Sequence, residues 1–146
     1  MLRPLIDLVR GWISPPASDA GTTGERLAEA YLAKHCGQVL LARNWRNPAD
    51  QREEIDLVMS EGTVLVFVEV KARVTGALVP GYYAVTPKKK RVLRRACGAY
   101  LRRLRSRPLT FRFDVVEVEL PHAASGSRPI VRHFANVPLF GKGFHF

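Results

Sequence analysis

A chain of 146 residues, 47% hydrophobic and 25% charged, is long enough for one domain with a sizeable core and too short for two. Its 23 Lys and Arg against 13 Asp and Glu give a net charge of +10, which suits a polyanion such as nucleic acid or an anionic membrane. The aliphatic content excludes wholesale disorder, and no apolar run approaches the roughly 18–20 residues of a membrane span.

The first 14 residues have an apolar flavour, but Asp7 and Arg10 interrupt any secretory h-region. Residues 1–21 are therefore expected to form an extension, with a linker-like run at Ser14-Pro15-Pro16-Ala17-Ser18-Asp19. One domain is expected over residues 22–138, and a loose tail over 139–146. A first helix is expected over about 23–35, with Thr22-x-x-Glu25 as a capping box and Gly37 as its left-handed stop. A strand follows at 39–42, then a polar loop through Asn47-Pro48-Ala49-Asp50.

Two β-rich runs between Glu54 and Arg73 flank Ser60-Glu61-Gly62-Thr63, a hairpin signal. A two-residue Glu61-Gly62 loop would pair Ile55 with Val68, Leu57 with Val66 and Met59 with Val64, all apolar. Thr86-Pro87 should open a second helix running to about residue 105, with Leu93, Ala96, Cys97, Tyr100, Leu101 and Leu104 on one face. Residues 111–120 read as a strand with partial burial on both sides, and 130–134 as a last edge strand. This order predicts an α/β domain, a mixed sheet flanked by helices.

Cys36 and Cys97 lie 61 positions apart and outside any CxxC pair, so they are expected as free, small apolar residues in a reducing compartment. His35, His122, His133 and His145 show no ligand spacing and read as surface or packing residues. Trp45 reads as core.

The hairpin's other face carries the chemistry. Alternation puts Asp56, Glu69 and Lys71 on one side, opposite the valines, with Asp56 diagonal to Glu69. Two carboxylates in diagonal reach make a hard-oxygen site for a divalent ion, and a neighbouring ammonium can steer an attacking water and offset phosphoryl charge. An ordinary ion-paired face, with Lys71 bridging both acids, fits the same spacing.

Glu54-Ile55-Asp56 followed after one hairpin by Glu69-Val70-Lys71 resembles the PD-(D/E)XK nuclease signature. The wider set, Gly24-Glu25-Arg26-Leu27-Ala28, Glu54-Ile55-Asp56-Leu57-Val58, the run from Leu65 to Arg73, Val85-Thr86-Pro87 and Arg112-Phe113-Asp114-Val115-Val116, resembles the YraN family, small bacterial proteins similar to archaeal Holliday-junction resolvases. The resemblance covers about residues 22–138. It implies a restriction-endonuclease-like fold, a central mixed β-sheet with flanking α-helices. It also implies Asp56, Glu69 and the Val70 carbonyl as ligands of Mg²⁺ or Mn²⁺, Lys71 as the catalytic lysine and Glu25 as a helix-borne acid of the site. For Glu25 the capping box is an equal alternative. Glu54 is a lesser candidate ligand, and Glu53 stands where the family usually has glycine.

Between residues 70 and 113 there is no Asp or Glu and there are 13 Lys and Arg. Lys88, Lys89, Lys90, Arg91, Arg94 and Arg95 load the second helix, which would lie along phosphates in salt-sensitive, largely sequence-independent binding. Tyr82 and Tyr83 either stack on an unpaired base or pack on the sheet. The expected function is a cytoplasmic, metal-dependent endonuclease acting on DNA, branched DNA included, and dimeric by analogy with resolvases. The alternatives are a non-catalytic nucleic-acid-binding module of the same fold and, behind it, a membrane-surface protein.

Overall fold

In the computed structural model, which describes residues 19–75 and 85–146, a five-stranded mixed sheet separates two helices. The elements are α1 (Asp19–Cys36), β1 (Val39–Asn47), β2 (Asp50–Glu61), β3 (Val64–Val74), α2 (Pro87–Arg103), β4 (Thr110–Leu120) and β5 (Ile130–Phe134). The strands lie in sequence order, β1-β2-β3-β4-β5. β3 and β4 are parallel and the other neighbours antiparallel. A parallel pair needs a long crossover, and α2 supplies it. The expected N-terminal extension and Tyr82 and Tyr83 fall outside the described residues.

Each face of the sheet has its own core. Ala28 and Leu32 of α1 pack on Leu57, Met59, Val66, Val68, Val116 and Val118. Leu93, Ala96, Cys97, Tyr100 and Leu101 of α2 pack on the opposite face with Trp45, Phe67 and Phe113. β4, next to the central strand, is covered on both sides, which is why its inward positions never sort into one polar and one apolar set. The end of the chain, expected to be loose, packs too. Leu139 is buried, and Phe140, Phe144 and Phe146 lie edge-on or tilted against Phe111 and one another.

Several local expectations need correction. α1 begins at Asp19, so Thr22 and Glu25 lie inside the helix and form no capping box. Gly37 does stop it, at φ +64. β1 runs five residues beyond the expected strand, because the segment to Asn47 pairs with β2 and buries Trp45. The β2–β3 turn is Gly62-Thr63 rather than Glu61-Gly62, since Gly62 takes φ +59 at the first central position. Leu57 therefore faces Val68 and Met59 faces Val66, a shift of two that preserves which residues share a face.

One expected face assignment is wrong. Ile55 was expected beside Leu57 and Met59, yet it packs with Val58 on the α2 side. In β1, Ala42 and Trp45, also three apart, share that same side. The alternation slips in both strands at once, where Asn44 adopts φ +46. Asparagine tolerates this left-handed conformation better than most side chains do.

Candidate active site

The slip sets up the site. The β2–β3 ladder runs from Glu61–Val64 down to Leu57–Val68 and stops. One step beyond, the same register puts Asp56 across from Glu69. Asp56 Oδ2 accepts the Val70 N–H at 2.7 Å, so a side chain takes the place of the missing strand partner. The N–H and C=O of one strand residue point to the same side, so the Val70 carbonyl faces this gap as well.

Glu69 sits on the α2 side of β3 with its side chain 4% exposed. Its Oε1 meets Lys71 Nζ at 3.1 Å and Lys89 Nζ at 3.4 Å. Lys89 comes from the first turn of α2, where the Thr86 side chain accepts the Lys89 N–H and Pro87 opens the helix. Glu69 Oε2 is buried and has no hydrogen-bond partner among the described residues.

Glu25 arrives from α1. Its neighbour Gly24 lets the helix lie against β3: a Cβ at that position would sit 2.6 Å from the Ala72 Cβ. The Glu25 carboxylate accepts from Asn44 Nδ2 at 2.9 Å, so the residue that breaks the β1 pleat also holds the helix-borne acid. The result is an open cavity of about 350 Å³ whose walls include Glu25, Asp56, Glu69, Val70 and Lys71, but not the lesser candidate Glu54.

Its electrostatics are unbalanced. Burial raises the Asp56 carboxyl to about 8; the neighbouring Glu69 adds to that rise, while the Val70 N–H and Lys89 oppose it. Burial also raises Glu25, against the Asn44 hydrogen bond, with Glu54 and Glu69 adding to the rise. Acids crowded in this way, with one buried oxygen unpartnered, favour a cation. Among the described residues no three His, Cys, Asp or Glu side chains converge into a closed metal-holding group. Two carboxylates and one main-chain carbonyl, all hard oxygens beside open space, match what Mg²⁺ accepts, because it retains several waters and binds few protein ligands. The residues present therefore fit the implied ion.

The remaining candidates are elsewhere. Glu54 is ion-paired to Arg46 at 2.9 Å. Lys88 and Arg91 are exposed on α2, Lys90 is half-buried, and Arg95 is paired with the buried Glu53 at 3.1 Å. Lys89, expected to lie along phosphate, reaches instead into the acidic cluster; its place at the third position of a capped helix was the available signal. Sequence reasoning also missed Asn44; the available signal was the residue type, since asparagine is one of the few side chains that visit the left-handed region readily.

Comparison with known proteins adds the lineage. The model of the Uncharacterised protein family UPF0102 matches residues 24–118. The chain belongs to this family, the YraN family. A UPF0102 protein of Geobacter metallireducens is 37% identical over 80% of the chain and 88% of its own length. One from Symbiobacterium thermophilum is 46% identical over 68% and 80%. One from Mycolicibacterium gilvum is 40% identical over 80% and 91%. The UPF0102 match opens at Gly24, the α1–β3 contact, and extends past the cavity strands to Val118 in β4. Among the described residues no helix is long and apolar enough to cross a membrane.

Proposed function

We propose that this chain is a metal-dependent endonuclease that hydrolyses nucleic-acid phosphodiester bonds, with DNA as the preferred polymer and branched DNA as the first substrate to try. The observation that carries this reading is Glu69, whose buried Oε2 has no partner among the described residues, lining one cavity with Lys71 and with Asp56, whose carboxyl is raised. Asp56, Glu69 and the Val70 carbonyl would hold Mg²⁺ or Mn²⁺. Such an ion supplies the Lewis acidity that polarises a phosphodiester and acidifies water.

The chain's own groups do the rest. Glu69 Oε1 anchors Lys71 Nζ beside the donors, where an ammonium orients the attacking water and offsets charge gathering on the phosphoryl oxygens. Lys89 shares that anchor from the opposite side and ties α2 to the cavity. Glu25, held by Asn44, lies where it can accept a hydrogen bond from the water shell of the site. The basic face of α2 then approaches the polymer backbone, consistent with the net charge of +10.

The test is cleavage of end-labelled single-strand, duplex, flap and four-way-junction DNA with Mg²⁺ or Mn²⁺, comparing wild type with Asp56→Asn and Lys71→Met. Cuts that disappear in both variants, while DNA binding is retained, are the expected result. Binding without cuts on every substrate would instead make the chain a non-catalytic module of this fold.

A further inference from the structure

A second opening lies on the outer side of α2. It is a cleft of about 720 Å³ between that helix, the β1–β2 turn and the end of the chain. Arg91, Arg94, Arg95 and Arg102 line it, on positions that follow one stripe of the helix. Gly98 falls on the same stripe and leaves the floor bare: a Cβ there would lie 3.3 Å from Arg102 Nη1 and 3.8 Å from Phe144 Cζ. The half-buried Phe144 ring and the Arg102 head are thereby brought together over one spot.

The cleft is organised rather than merely charged. Glu53 is buried at its base, accepts from Asn47 Nδ2 at 2.7 Å and pairs with Arg95 Nε at 3.1 Å, fixing that guanidinium. Arg94 Nη1 donates to the Leu139 carbonyl at 3.4 Å, tying the opposite wall to the helix. Four guanidiniums against one carboxylate leave the lining strongly cationic, and Phe144 adds an aromatic surface. A cationic groove with an aromatic wall is the combination that tracks the backbone of an unpaired strand while its bases stack.

Its position relates it to the cavity. Glu53 and Asp56 are three residues apart on β2, about 10 Å at the rise of a strand. Lys89 and Arg95 are six apart on α2, about 9 Å at the rise of a helix. Arg91, also in the lining, is only two residues beyond Lys89, so the cleft begins beside the acidic cavity, and Arg102 extends it about 10 Å beyond Arg95.

We infer that this cleft is a second nucleic-acid subsite, which holds a single-stranded segment adjoining the bond that the cavity attacks. The inference rests on the nuclease reading and narrows its substrate class to nucleic acids with an unpaired arm several nucleotides long. A blunt duplex does not satisfy it, because paired bases offer no face to Phe144.

Binding to the uncleaving Asp56→Asn protein tests this without depending on turnover. The probes are labelled single strands of about 4 and about 12 nucleotides, within the range of known single-strand site sizes, and a blunt duplex of the longer sequence. Arg94→Gln/Arg102→Gln should weaken the longer strand about 10- to 100-fold and the shorter about two-fold at most. The slope of log affinity against log salt should fall by about 1.4 units, since each lost phosphate contact on a single strand removes about 0.7. Phe144→Leu, which keeps an apolar side chain on Phe111, should cost the longer strand about 5-fold or more and the duplex almost nothing. Equal losses for both lengths, no loss, or equal binding of strand and duplex would overturn the cleft while leaving the nuclease reading intact. Failure of every probe to bind at low salt would overturn the nuclease reading and the cleft together.

Discussion

β2 and β4, which flank β3, each carry an aspartate whose carboxyl is withdrawn from water, and the two are treated in opposite ways. Asp114 of β4 is 0% exposed. It accepts from Arg112 Nε at 2.9 Å and from the Asn136 N–H at 2.9 Å, and its Oδ2 is hydrogen-bonded to His133 Nε2 at 2.8 Å. Burial works to raise its carboxyl, but the bonds from His133, Arg112 and Asn136 outweigh it and hold the group below the usual carboxylate range. Asp56 has one main-chain donor, a neighbouring carboxylate and a raised pKa. Burial alone therefore does not set the direction in which a carboxyl shifts. What sets it is whether the protein itself supplies enough donors to offset the burial.

The sharpest way to break the comparison is at the satisfied end. Asp114→Ala leaves Arg112 and His133 without their buried partner, and removal of one member of such a set costs about 3–5 kcal/mol. Urea unfolding followed by circular dichroism should show that loss. The sign with pH also follows: a depressed carboxyl contributes stability above its unfolded value of 3.8, and the contribution disappears as pH falls below that value through the still lower folded one. The gap between wild type and variant should accordingly narrow in acid below pH 4. A variant as stable as wild type at pH 7 would show that this cluster is not structural.

A smaller effect is expected from a residue that carries no charge. Gly24→Ala sets a methyl group 2.6 Å from the Ala72 Cβ, and overpacking at such a contact costs about 1–3 kcal/mol. Because α1 must move away, Glu25 moves with it and leaves the cavity wall. Ala72→Gly in the same chain should restore most of the loss, a coupling that a double-mutant cycle measures directly. Additive effects would place the damage elsewhere in α1.

These cases also show what was legible beforehand. The valines of β3 and the apolar stripe of α2 announced their faces, because burial on a regular element repeats with its period. The Asp56, Glu69 and Lys71 grouping followed from the same periodicity and survived a register error of two residues, which leaves the parity of the strand unchanged. The slip at Asn44 was not legible, since it depends on a single dihedral angle that alternation takes for granted. Glu25 illustrates the limit of local motifs: Thr-x-x-Glu fits a capping box, but the helix starts three residues earlier and frees the acid for Asn44. The Asp114 cluster takes a local donor from Arg112, two residues away on β4, but its other partners, His133 and Asn136, are brought near only by the pairing of β4 with β5 and the turn after it.

At the unsatisfied end the expected change has the opposite sign. Asp56→Asn keeps an oxygen to accept the Val70 N–H and removes a charge that the folded protein disfavours. The wild-type carboxyl ionises at 3.8 when unfolded and at about 8 when folded, so the native state loses relative stability as pH rises between those values. The cost is small near pH 4 and complete above about pH 8. The variant should therefore gain about 1–2 kcal/mol over wild type at pH 8 without divalent ions and almost nothing at pH 4. Thermal unfolding across that range measures it. Added Mg²⁺ should raise the melting temperature of wild type and not of the variant, closing the gap, because an ion that binds only the native state offsets the repulsion between Asp56 and Glu69. If Asp56→Asn proves destabilising at every pH, Asp56 belongs with Asp114 as an acid whose role is to hold the sheet together, and the cavity loses its claim to a metal.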